Sequence, residues 1–203
     1  MIKKIFALIV MLCGLGLMAQ GLITHYQYKK QEQELLNYIE EGISNGTLDV
    51  NEEDDEEGFI EVDVDGEMNF VNEKVNPMGI LEIPSIKLKS GIIKGATLSD
   101  IKKGIGYYKN TALPSDEYGN FVLAAHNSGR MPIFKNLHKT NIGDEVIVYY
   151  ANQEYRYVIT DKYIVNPTDV DILQGSENVK EITMFTCTNK GQQRYVVRGV
   201  SID

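Results

Sequence analysis

The chain opens on a long apolar run and does not return to one. Residues 5–24, IFALIVMLCGLGLMAQGLIT, carry no charge, and only Gln20 and Thr24 are clearly polar. Twenty helical residues rising about 1.5 Å each span about 30 Å, the thickness of a bilayer's hydrocarbon core. Lys3 and Lys4 ahead of the run favour a cytoplasmic N-terminus with the remaining chain outside, while Lys29 and Lys30 behind it pull the other way. A cleaved signal peptide is the alternative. The run is longer than the usual apolar region of about 7–15 residues, no A-x-A-like site follows, and Leu12 before Cys13 is not small as lipoprotein processing would want. The pattern predicts a cytoplasmic tip and transmembrane anchor over residues 1–24.

From His25 the chain turns polar, with Leu35, Leu36 and Ile39 on one face of a short helix. The run NEEDDEEG then repels itself, which predicts an extended chain. Beyond it Ile60, Val62 and Val64 alternate with acids up to Asp65-Gly66, and Met68 and Phe70 resume the alternation, predicting a small hairpin over 59–71. Glu61, Asp63, Asp65 and Gly66 take four places of a calcium loop. Asn72 stands where a bidentate Glu belongs, and the flanks read as strands, so a spacer is the better reading. Residues 25–76 are thus an acidic extracellular stalk.

From Pro77 short runs rich in β-branched and aromatic residues recur: MGILEIPSI, KSGIIKGA, NFVLAAHN, DEVIVYYAN, QEYRYVITDKYIV, EITMFTC and RYVVRGVSI. Turn signals such as Ser90-Gly91, Ile142-Gly143-Asp144 and Lys190-Gly191 separate them, and helical pieces interrupt near 98–103 and 131–138. Seven or eight strands over 77–203 predict an all-β domain, an antiparallel barrel or sandwich with short helical insertions.

Composition sharpens this picture in two places. The net charge of −9 hides a division: residues 40–75 carry −13, so the rest sums to +4, and no basic stripe points to nucleic acid. Only Cys13 and Cys187 occur, and Cys13 lies in the apolar run, so they cannot plausibly bridge; there is no zinc spacing either. Cys187 is therefore a buried small hydrophobe or a reactive thiol.

Its position favours the thiol. Cys187 closes the strand EITMFTC, where Thr183, Phe185 and Cys187 share a face, just before a Gly-containing loop. If the next strand returns as a hairpin, Arg194 faces Cys187 across the loop mouth, a plausible nucleophile and oxyanion donor. His126 ends NFVLAAH, where Ala124 and Ala125 leave room for a substrate; a strand-end histidine is by itself more often structural.

These residues carry a family resemblance. TMFTC (183–187) resembles the sortase signature T-L-x-T-C with Met184 for leucine, an apolar swap of similar volume. AAHNS resembles the sortase histidine segment and RYVVRG the arginine segment, in the order His, Cys, Arg, over residues 77–203. The resemblance implies a sortase-type β-barrel and a cysteine transpeptidase with Cys187 as nucleophile, His126 as general acid and base, and Arg194 rather than Arg198 stabilising the oxyanion. It implies cleavage of LPXTG-like signals of surface proteins, transfer through a thioester to a cell-wall precursor amine, and no required cofactor. IVNPTDVDILQG (164–175) matches the family's long loop before the seventh strand, so Pro167, Val170, Ile172 and Leu173, with Ala124 and Thr186, are its peptide-contact candidates. Some relatives bind calcium near this loop, which makes Asp116, Glu117, Asp169 and Asp171 candidates by location without a commitment to metal. No N-terminal aromatic lid motif is found, which favours a general, class A-like anchoring enzyme over a pilin-polymerising one. An inert β-barrel binding module on a membrane tether is the non-enzymatic alternative.

Overall fold

In the computed structural model the described residues are 2–46, 48, 60–61, 74–129 and 131–202. Most of the acidic run, the Asp65-Gly66 turn and the calcium-like loop lie outside them.

One helix, α1 (Ile2–Asn45), runs unbroken for 44 residues through both the apolar run and the polar segment after it. Lys29, Lys30, Gln31 and the Glu and Leu residues that follow are strong helix formers, so the change in polarity at His25 does not interrupt the backbone. The helix ends at Gly46, whose φ of 66° is left-handed and whose N–H returns to the Ile43 carbonyl at 3.3 Å. Its first half is long and apolar enough to cross a membrane, and large side chains such as Leu17 and Met18 stand exposed there. In its second half Leu35, Leu36 and Ile39 are buried against Val75, Ile80 and Ile93.

The barrel strands are β1 (Pro77–Ile83), β2 (Leu88–Lys94), β3 (Ile105–Tyr107), β4 (Gly119–Ala124), β5 (Glu145–Tyr150), β6 (Gln153–Val165), β7 (Lys180–Thr188) and β8 (Gln193–Ser201). They close a barrel in the order β8-β6-β5-β1-β2-β3-β4-β7. Closure leaves no sheet edge. The expected antiparallel pairing holds at six of the eight seams; β2 with β3 and β4 with β7 run parallel. Each parallel seam joins strands separated by a crossover: the segment with the 3₁₀ turn Asp100–Lys102 in one case, and the whole β5–β6 hairpin in the other. The helical pieces expected near 98–103 and 131–138 are 3₁₀ turns, Asp100–Lys102 and Ile133–Lys139.

Alternation decides what faces inward. Ile182 and Met184 of β7 join Leu81, Phe121, Leu123 and Tyr157 in the core, which explains why methionine serves where the signature has leucine. Thr183, Phe185 and Cys187 consequently face out of the barrel. Outside it, Ile60–Glu61 pairs antiparallel with Lys74–Val75, bringing the chain back to β1.

Candidate active site

Cys187 sits one residue before the end of β7, directly opposite Arg194 on β8 in the antiparallel register. The turn Asn189–Gly191 between them passes through left-handed Lys190 and Gly191. On the other side of β7, β4 runs parallel with Ala124 opposite Phe185. Three strand ends therefore meet at one rim of the barrel.

Beyond β4 the chain stays tied to β7. The Ala125 N–H donates to the Phe185 carbonyl at 3.4 Å, the Thr186 hydroxyl donates to the Ala125 carbonyl at 2.7 Å, and the Asn127 side-chain amide donates to the Cys187 carbonyl. His126 lies between these tethered residues, and its own carbonyl accepts from the Phe134 N–H at 2.9 Å. The half-buried imidazole is held below its ordinary pKa, first by burial and then by the charge of Lys102.

Cys187 is a free, half-buried thiol. The Arg194 guanidinium folds towards its own loop, with Nη1 donating to the Gly191 and Gln193 carbonyls at 3.0 and 3.1 Å. Arg198, on the same face of β8, makes other bonds: Nε to the Thr183 hydroxyl at 3.1 Å and Nη1 to the Glu181 carboxylate at 3.8 Å.

A cleft of about 230 Å³ opens at this rim. Ala124, Ala125, Phe185, Thr186, Cys187 and Arg194 form one wall; Asn166, Pro167, Asp169, Val170, Ile172 and Leu173, from the connection between β6 and β7, form the facing wall. Leu98, Ile101 and Tyr108 close one end. The structure brings Ala124, Thr186, Pro167, Val170, Ile172 and Leu173 into one cleft with Cys187 and Arg194; His126 follows Ala125 without lining it. Sequence reasoning passed over Asn127 and the aromatic pair Tyr108 and Phe185, whose ring centroids are 6.4 Å apart. The asparagine directly after His126 was the available signal.

The loop carboxylates are engaged locally. Asp169 accepts from the Asn166 N–H and Asp116 from the Leu113 N–H, each at 2.8 Å. Among the described residues, no group of three or more His, Cys, Asp or Glu is placed to hold a metal ion. A larger cavity of about 630 Å³, lined in part by Lys94, Lys103 and Lys109, adjoins the cleft and shares Ala96 and Tyr108 with it.

This rim and barrel have counterparts in known proteins. The family model for the sortase domain matches residues 81–202. Sortase D of Bacillus subtilis is 30% identical over 136 residues, covering 64% of this chain and 67% of the relative. Sortase A of Bacillus anthracis is 24% identical over 207 residues, 98% of this chain and 93% of the relative. A sortase D-type transpeptidase of Clostridium perfringens superposes with a TM-score of 0.62 at 26% identity, covering 88% of this chain and 99% of that one. A sortase C of Clostridium perfringens, solved with the C-terminal cell wall sorting motif, gives a TM-score of 0.60 at 26% identity, covering 86% of this chain and 89% of that one. The chain belongs to the sortase family, the cysteine transpeptidases of the cell envelope.

Proposed function

We propose that the protein cleaves an LPXTG-like C-terminal sorting signal and passes the severed protein to an amine through a thioester on Cys187. The Cys187 thiolate adds to the carbonyl carbon of the signal's threonine. The bond from that carbon to the glycine nitrogen then breaks, and the nitrogen leaves with a proton from His126. The acceptor amine attacks the thioester, its proton passes to His126, and the thiolate is restored. Arg194 hydrogen-bonds the oxyanion formed in both additions, where a charged donor counts most. Pro167, Val170, Ile172 and Leu173 receive the signal's apolar residues, facing Ala124 and Thr186.

The observation that carries this reading is the pairing of Cys187 with Arg194 at the cleft, beside a histidine whose neighbours are bonded to the cysteine's own strand. We further propose that residues 1–24 anchor the chain by a single pass, that 77–203 work outside the membrane, and that 25–76 connect the two. The acceptor is an amine of a cell-wall precursor. Similarity to sortases of the C type supports a second reading, a lysine side chain of a pilin-like protein.

Intact-mass measurement with a library of sorting peptides tests the reaction. Wild-type protein should gain the mass of the peptide up to its threonine, and Cys187→Ala should gain nothing. Absence of any adduct on wild type across the library would overturn the reading. Adding N-terminal or lysine side-chain amines to the acyl-enzyme then separates the two acceptors.

A further inference from the structure

We propose that Asn120 and Arg198 are positioning residues that hold the peptide-facing connection between β6 and β7 in its binding shape, and so set the affinity for the sorting peptide. This rests on the reading of the cleft given above.

The connection, residues 166–179, has only the 3₁₀ turn Val170–Leu173 as regular structure, so no sheet ladder fixes it. Two of its carbonyls are fixed by side chains instead. The Ile172 carbonyl accepts from Asn120 Nδ2 at 2.9 Å and from Arg198 Nη2 at 3.1 Å. The Gln174 carbonyl accepts from the same two nitrogens, at 3.2 and 3.3 Å. Leu173, which lines the cleft, is thus bracketed between two doubly held carbonyls.

The donors come from the outer face of three adjacent strands. Asn120 on β4 stands opposite Glu181 on β7, and Arg198 on β8 stands opposite Thr183 on β7. The β8–β6 ladder slips between Arg198 and Gly199, an irregularity of the kind that re-aims a side chain. Arg198 uses its fork fully, since Nε holds Thr183 and Nη1 lies beside Glu181. Glu181 in turn accepts from the Ser176 N–H at 2.9 Å, extending the hold past Gln174. Gly175 lies so close to β4 that a Cβ there would sit 2.5 Å from the Asn120 backbone nitrogen.

The arrangement is costly, which argues that it serves the cleft. Asn120 is 2% exposed, and its Oδ1 is buried with no hydrogen-bond partner, an orphaned acceptor tolerated while Nδ2 serves the two carbonyls. An apolar residue there would spare the acceptor but leave the carbonyls to Arg198 alone.

The test uses the full chain in detergent micelles, comparing wild type with Arg198→Met and Arg198→Lys. For an LPXTG-like peptide, Arg198→Met should raise KM about tenfold, the scale of losing charge-assisted bonds, with kcat changed less than about threefold. Amide hydrogen exchange over residues 172–176 should accelerate, while alkylation of Cys187 by iodoacetamide keeps its wild-type rate. Arg198→Lys keeps the charge beside Glu181 but cannot reach both carbonyls and Thr183, so it should recover thermal stability and not KM. Unchanged KM, loss confined to kcat, or full recovery of KM by lysine would each overturn the proposal. Should Arg198→Met fail to fold, Asn120→Ser gives the same readouts. If wild type cleaves no peptide, the catalytic reading fails, and exchange alone decides: faster exchange in the variants supports the clamp and unchanged exchange overturns it.

Discussion

The two walls of the cleft are built in different ways. The wall with Cys187 and Arg194 is made of strand ends, fixed by the ladder between β7 and β8 and by the bonds that tie residues 125–127 to β7. The facing wall has no ladder, and its apolar side chains stand on a loop held at a few carbonyls. Reacting groups need placement to a fraction of an ångström, and strand ends on a closed barrel provide it. A peptide-binding surface needs shape more than rigidity, and a pinned loop suffices. The comparison predicts that damage to the first wall appears in kcat and damage to the second in KM.

Cys187→Ala should give the largest effect, a loss of peptide cleavage of about a thousandfold or more with the thermal midpoint unchanged, because a half-buried strand-end thiol contributes little packing. Appreciable turnover by the purified variant would break the comparison at its foundation. Arg194→Ala comes next, with kcat lower by about 10²–10³-fold and KM nearly unchanged, measured by steady-state cleavage of one peptide. A change confined to KM would move Arg194 to the recognition side.

Leu173→Ser should leave kcat within about twofold and raise KM about threefold to tenfold, since one apolar side chain in a peptide pocket is worth about 1–3 kcal/mol at most. A matching fall in kcat would mean that the two walls are coupled. The smallest effect concerns His126 and pH. Its folded-state pKa lies below the ordinary 6.5, so the unfolded chain binds the proton more readily. The stability linked to this group is present above pH 6.5 and is lost as pH falls through the lower folded value. Urea midpoints of wild type should therefore fall from pH 7.5 to pH 5 more than those of His126→Asn. Identical pH slopes would show that the imidazole does not sense its burial.

The strands of the barrel were legible because alternation is local, and the Cys187–Arg194 pairing followed from a short hairpin with a Gly-containing loop. The two parallel seams were not, since nothing in β4 says that it will lie beside β7 across the whole β5–β6 hairpin. Similarly, a break in α1 at His25 was expected from polarity, whereas helix continuation depends on propensity. The tether from Asn127 to Cys187 and the bonds from Asn120 to Ile172 and Gln174 join residues more than fifty positions apart. No local pattern encodes them, and Arg198 accordingly read as an ion-pair or surface residue until its partners were seen.

The continuity of α1 has a mechanical consequence. Glu32 already accepts a hydrogen bond from Ser90 on the barrel, only eight residues, or about 12 Å of helix, past the end of the apolar run at Thr24. With that run in a bilayer, the barrel is bolted to a stiff mast at low height rather than swinging on a tether. Its cleft then sweeps an area set by the tilt and spin of the helix about the bilayer normal. Encounters with membrane-held substrates become a two-dimensional search, with the height and attitude of the cleft fixed in advance by the helix.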